Sequence, residues 1–206
     1  MANIREIQTR INSVKDTMKI TNAMYMISST KMRQAKKKLA ESEPYFYGLQ
    51  GEISRILRHI PEIEHLYFDK REEIPKEKRK IGSIVITADK GLAGAYNHNI
   101  VKVEDELLKE PGEHKLFVVG ELGRHYYANK GVKIDTNFLY TVQKPTMHRA
   151  RDIAEEIFSQ FREGELDEVY IVYTRMENSM LTMVEKMKIL PLERSSFNEM
   201  KMPINI

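Results

Sequence analysis

The sequence predicts an α/β protein in two parts: a long N-terminal coiled-coil-type helix, then an open, mainly parallel sheet covered by helices. Three observations predict it. One apolar stripe runs unbroken through residues 4–60, Pro61 and Pro75 bracket a charged stretch, and from Ile81 onward strand-like apolar runs alternate with amphipathic helical segments.

The helix comes first. Stepping from Ile4 by alternating threes and fours meets Ile7, Ile11, Val14, Met18, Thr21, Tyr25, Ser28, Met32, Ala35, Leu39 and Ser42, and the stripe resumes through Phe46, Leu49, Ile53, Ile56 and Ile60. This spacing is the seam of a coiled-coil helix, one narrow face turned toward a partner. Asn3 is placed to cap it, with Glu6 completing a capping box. Residues 3–43 would make a rod about 60 Å long, so much of it should project beyond a body roughly 35–40 Å across. Burying each large apolar side chain is worth about 1.5–3 kcal/mol, so the seam calls for a partner. No second helix of matching length occurs in the 206 residues. Between Met18 and Ile27 apolar residues go round the cylinder (Ile20, Ala23, Met24, Met26, Ile27), as in helices enclosed by protein. Pro44 is expected to kink or restart the helix, and Pro61 to end it.

Residues 61–80 read as a charged connector. Beyond it Ile81–Thr87, Lys115–Val119, Val132–Phe138 and Val169–Tyr173 read as strands, and Asn97–Lys109, Glu121–Asn129 and Pro145–Phe161 as helices; residues 178–190 add a final strand or edge. Such alternation implies a Rossmann-like sheet domain. The expected organisation is a shaft helix over 1–60 with a kink near 44, a connector over 61–80, an α/β domain over 81–190 and a tail over 191–206.

Composition narrows the function. The chain has no cysteine, which excludes a disulfide framework and thiolate metal sites. No apolar run reaches the ~18–20 residues that span a bilayer, and the start lacks a secretion signal, so a cytosolic-side chain is expected. Residues 1–40 carry nine Lys or Arg against Glu6 and Asp16, although the whole chain is only +3. The excess gathers at Lys31, Arg33, Lys36, Lys37 and Lys38, a basic face drawn toward acidic surfaces.

The segment that tempts a chemical reading is Thr87-Ala88-Asp89-Lys90-Gly91-Leu92-Ala93-Gly94-Ala95-Tyr96-Asn97, at the carboxyl end of the first strand. Ligands bind at such ends in parallel sheets, and glycines let backbone N–H groups approach phosphate. The loop matches neither phosphate-binding fingerprint, however. A tight turn and close helix–strand packing explain Gly91 and Gly94 equally well, with Asp89 and Asn97 as parts of a structural loop. Gly120-Glu121-Leu122-Gly123 reads as an ordinary strand-to-helix turn. The six histidines are scattered, His148 and Asp152 form a helical pair, and no catalytic, metal or cofactor constellation emerges. Two alternatives stay open: a nucleotide- or phosphate-binding domain using the loop, and a basic helical module for nucleic acid or anionic membrane.

Two blocks carry a family resemblance: Ile20-Thr21-Asn22-Ala23-Met24-Tyr25-Met26-Ile27-Ser28-Ser29-Thr30-Lys31-Met32, and the Thr87–Asn97 run. A weaker match follows in Val169–Tyr173, Asn178-Ser179-Met180 and Ile189-Leu190-Pro191-Leu192. In these the chain resembles the gamma subunit of the rotary F-type ATP synthase. The resemblance implies a non-catalytic rotor shaft with no cofactor or metal, turning inside a collar of alternating alpha and beta subunits. Met24, Met26, Ile27, Lys31 and Arg33 would be collar contacts. The α/β domain would sit beside the epsilon subunit and above the membrane c-ring, with no nucleic-acid partner and no membrane span of its own. A peripheral position on the cytoplasmic face of a bacterial plasma membrane is implied. Tyr25 departs from the Glu that many members carry, and the family's C-terminal shaft helix, the antiparallel mate of the seam, is not found in these residues.

Overall fold

The computed structural model describes residues 3–68, 71, 73–135, 138, 142–143, 145–178 and 181–198. The chain divides into an N-terminal unit through Pro61 and a second unit over Glu62–Asn198. Of the expected tail, residues from 199 onward lie outside the described residues, as do Ser179 and Met180 of the weaker family match.

Among the described residues the N-terminal unit is one helix, α1 (Ile4–His59), of 56 residues and about 84 Å at the usual rise. No glycine precedes Gly48, so little in the sequence weakens it. Asn3 takes the extended backbone of an N-cap, and its carbonyl accepts from the N–H groups of Glu6 (2.8 Å) and Ile7 (3.2 Å). The expected capping box does not form: the Asn3 side chain makes no cap bond, and Glu6 turns to Arg10 at 3.4 Å. Pro44 does not restart the helix, which is continuous through it. Its missing N–H costs one bond to the Ala40 carbonyl, a loss water makes good on an exposed segment. At the other end the Ile60 N–H still reaches the Ile56 carbonyl at 2.8 Å before Pro61.

The second unit holds a five-stranded sheet in the order β3-β2-β1-β4-β5. The strands are β1 (Lys80–Ile86), β2 (Glu113–Val119), β3 (Ile134–Asp135), β4 (Glu168–Met176) and β5 (Thr182–Leu190). β1 pairs in parallel with β2 and β4, and β2 with β3; β5 closes one edge antiparallel to β4. The helices are α2 (Tyr96–Leu107), α3 (Glu121–Asn129), α4 (Met147–Arg162) and the short α5 (Ser195–Asn198). Within the expected Val132–Phe138 strand only two residues pair; residues 136–137 lie outside the described set and Phe138 packs in the core instead. α4 begins two residues later than expected because Thr146 caps it, its Oγ1 accepting from the Arg149 N–H at 3.3 Å.

The period-two alternation of the strands sorts their side chains into two cores. Ile84, Phe117, Val119 and Val169 face α4, which contributes Ile157 and Phe161. Val85, Leu116, Val118 and Val172 face the opposite way, toward Ile100 and Val101 of α2 and Tyr127 of α3. The result is three layers, α2 and α3 over the sheet over α4.

At the starting ends of the strands, two arginines of the connector tie it to the sheet. Arg71 pairs with Asp167 at 2.8 Å, donates to the carbonyls of Leu166 (2.7 Å) and Phe161 (2.6 Å), and lies over the Phe161 ring. Arg79 pairs with Glu168 at 2.7 Å, and Glu168 also accepts from the Tyr170 hydroxyl at 2.9 Å. Burial, then that contact with Glu168, pushes the Tyr170 hydroxyl above its ordinary range.

Candidate functional site

Two surfaces concern function: the flank of α1 and the loops at the carboxyl ends of β1 and β2. On α1 every residue from Asn3 to Leu49 except Ser29 is exposed. The seam is included, with Ile4 83%, Ile7 48%, Val14 67%, Met18 58% and Leu39 60% open to solvent. Met24, Met26 and Ile27 are likewise exposed, and so are Lys31 and Arg33. At about 100° per residue, Met24, Ile27 and Lys31 share one face, while Met26 and Arg33 lie on the opposite one. These five residues therefore ring the helix. They present apolar surface in more than one direction, with cationic groups one to two turns away.

The Thr87–Asn97 loop is tied at each point where its sequence offers a polar group. Asn97 Oδ1 accepts from the Ala88 N–H at 2.9 Å, joining the two ends of the loop. Asp89 Oδ1 accepts from the Glu121 N–H at 3.3 Å, and its Oδ2 from the Val142 N–H at 3.0 Å. The first N–H of α3, where a phosphate would bind, thus already meets the chain's own carboxylate.

The glycines correct the sequence-based reading. Gly94 has φ +56°, in the left-handed region, which supports the turn. No atom lies within 4 Å of a Cβ built at Gly91 or Gly94, so close helix–strand packing explains neither, and Gly91 has no positive φ either. The close approach occurs in the segment read as an ordinary turn. A Cβ on Gly123 would stand 2.7 Å from both Thr87 Oγ1 and Val118 Cγ1, and one on Gly120 would fall on the Thr87 carbonyl oxygen. The buried Thr87 hydroxyl accepts from the Gly123 N–H at 3.0 Å and sits 3.3 Å from the Val119 carbonyl, to which it donates. Sequence reading missed this junction because its partners are 32 and 36 positions apart. Between the loop's glycines, Leu92 stands 92% exposed at φ +61°. Among the described residues no three His, Asp or Glu side chains gather to hold a metal ion. His148 and Asp152 do pair on α4, at 3.3 Å.

A family model described as ATP synthase matches residues 3–205. The chain is 41% identical over 193 residues to the ATP synthase gamma chain of Caldanaerobacter subterraneus, covering 94% of this chain and 65% of that one. It is 40% identical over 205 residues to the ATP synthase gamma chain of Acetivibrio thermocellus, covering 100% and 68%. The chain belongs to the ATP synthase gamma chain family. A further gamma chain relative, named as sodium ion specific, is that of Acetobacterium woodii at 34% identity, covering 92% of this chain and 61% of that one. The present gamma-family chain spans about two thirds of the length of these curated relatives. Its fold is also that of a chain in the central stalk and c-ring structure of the Tetrahymena thermophila mitochondrial ATP synthase. The TM-score is 0.63 at 23% identity, over 84% of this chain and 72% of that one.

Proposed function

We propose that this chain acts as the central-stalk, rotor-shaft subunit of an F-type ATP synthase. It couples ion flow through the membrane sector mechanically to ATP synthesis or hydrolysis in a hexamer of alpha and beta subunits. The observation that carries the reading is the exposed seam of α1, with Ile4 83%, Val14 67% and Leu39 60% open to solvent. A helix that leaves such a stripe in water is built to be covered by protein. The gamma chains to which the chain is 40–41% identical support the same reading.

In this reading an antiparallel helix fills the seam, and the apolar ring of Met24, Met26 and Ile27 turns within the collar. Lys31 and Arg33 face acidic loops of the beta subunits, where charge and shape transmit torque. The α/β domain stands beside epsilon and above the c-ring, and Asp89, Gly94 and Asn97 serve as architecture. Catalysis belongs to the beta subunits. The chain is then peripheral to the membrane, on the cytoplasmic face in a bacterium; no described helix is long and apolar enough to cross a bilayer.

Co-purification of the 206-residue chain with alpha and beta subunits tests the proposal, with and without a separately supplied antiparallel helix. Entry into the complex in either arm supports it, and exclusion in both overturns it. Met24→Lys places a charge on the helix where the collar closes. It is expected to lower ion-coupled ATP synthesis in the reconstituted complex several-fold while leaving the unfolding midpoint of the isolated chain unchanged. Full synthesis by the variant counts against a collar contact at Met24.

A further inference from the structure

Glu104 lies in the interior of the α/β domain, where neither the shaft nor the strand-end loops make use of it. It projects from α2 one turn beyond Ile100 and Val101, so it points into the core those residues build. The residue is 0% exposed. Ser83, on the same face of β1 as Val85, places its hydroxyl 2.5 Å from Glu104 Oε1. Oε2 is buried with no hydrogen-bond partner among the described residues. A carboxylate held by one hydroxyl, its other oxygen bare, is far costlier to bury than the neutral acid.

The surrounding groups do not offset that cost. Asp105, next on α2, adds negative charge and is itself held by Lys130 at 2.6 Å and the Tyr126 hydroxyl at 2.9 Å. Lys186 of β5 is the cation acting on the site, but it is committed to Glu110 at 2.9 Å. From α3 comes Tyr127, whose buried hydroxyl has no described partner and is kept protonated by burial and then by the Glu104 charge. β2 supplies Leu116 and Val118 and β4 supplies Val172 to this core. On the same faces lie His114, its Nε2 2.8 Å from the Glu110 carbonyl and its Nδ1 buried, and Tyr170, whose hydroxyl donates to Glu168 at 2.9 Å.

We propose that Ser83 and Glu104 form a buried proton-binding site that holds α2 on the sheet while Glu104 is a neutral acid, and loosens that packing when the proton leaves. The inference concerns the domain's own folding and stands independently of the rotor reading.

Burial raises the Glu104 pKa from 4.5 to about 7, with Asp105 adding to the rise and the Ser83 hydroxyl and Lys186 opposing it. Between those values the folded chain keeps a proton that the unfolded chain has lost. Stability is therefore fully present below about pH 4.5, falls as pH rises through the window, and levels off above about pH 7. The full span corresponds to a fall on the order of a hundredfold in the folding equilibrium constant.

The test is urea unfolding of the whole 206-residue chain from about pH 5 to about pH 8, beside Glu104→Gln. The wild-type folding constant should fall on the order of a hundredfold, while the variant lacks that component and is the more stable of the two at the alkaline end. Ser83→Ala removes the hydroxyl that favours the carboxylate, so its midpoint should move to higher pH. Should Glu104→Gln not fold, infrared spectra of the wild type give the answer directly: a protonated-carboxyl band present in mild acid and lost above neutrality. A wild-type pH dependence identical to that of Glu104→Gln, or a carboxylate already ionised in mild acid, overturns the proposal.

Discussion

Isoleucine has opposite fates in the two units. In the α/β domain Ile100 and Ile157 are 0–1% exposed, while along α1 Ile4, Ile11 and Ile20 are 83%, 42% and 62% exposed. Their local patterns are equally regular. The difference lies in closure: β1, β2 and β4 have helices on both faces to receive their alternating side chains, whereas α1 has one seam and, among the described residues of its unit, no element set against it. Apolar spacing in the domain is information for folding. In the proposed reading the same spacing on α1 is information for assembly, and while the stripe stands in water it gains no burial energy for the chain that carries it.

Alanine substitutions break or sharpen that contrast most strongly. Ile100→Ala should cost about 4 kcal/mol, since the fully buried side chain leaves a cavity between α2 and the sheet. Ile11→Ala, on the exposed seam, should change the unfolding free energy of the isolated chain by less than about 0.5 kcal/mol. Urea unfolding of both variants decides it. A comparable loss from the two would mean that α1 buries its seam within the chain, against the comparison.

Arg71→Ala comes next, at about 3 kcal/mol. The loss removes the bonds donated to Asp167, Leu166 and Phe161 and leaves the Asp167 side chain, only 7% exposed, with the Lys80 N–H as its remaining described partner. Arg71→Lys restores the charge but not the planar fork, so it should recover well under half of that. Full recovery by lysine would show that the contact is a charge effect and not a fitted one. Since both arginines belong to the connector, this variant also asks whether residues 62–79 fold with the sheet.

Much of the fold was legible because it rests on local periodicity. The seam marks α1, and the run Glu121–Asn129 marks α3 to the residue. A final strand or edge was expected over residues 178–190, and β5 runs over Thr182–Leu190 within it. What escaped has partners far away in sequence. Arg71 and Asp167 are 96 positions apart, Arg79 and Glu168 are 89 apart, and nothing in the local pattern of either marks a pair. Glu104 looks like a solvated charge on an amphipathic helix, because burial of a single carboxyl leaves no periodic trace. On the candidate surfaces Met24, Met26 and Ile27 are exposed, and of the two reasons given for Gly91 and Gly94 the turn is met at Gly94 by its φ of +56°, while close packing is found at neither. Composition shows that a loop holds glycine, but only coordinates show which glycine touches its neighbours.

The strand-end glycines give the smallest effects and the finest test of that last point. Gly123→Ala puts a methyl group 2.7 Å from Thr87 Oγ1 and Val118 Cγ1, both in the packed layer beneath α3, and should cost about 2 kcal/mol. Gly94→Ala meets open space but forces alanine to φ +56°, at about 1 kcal/mol. Gly91→Ala meets neither obstacle. It should leave stability unchanged or raise it by about 0.5 kcal/mol, because alanine narrows the unfolded ensemble. The order Gly123, Gly94, Gly91 in urea midpoints would assign the tight junction to the loop after β2. The reverse order would return it to the Thr87–Asn97 loop, where the sequence pattern alone had placed it.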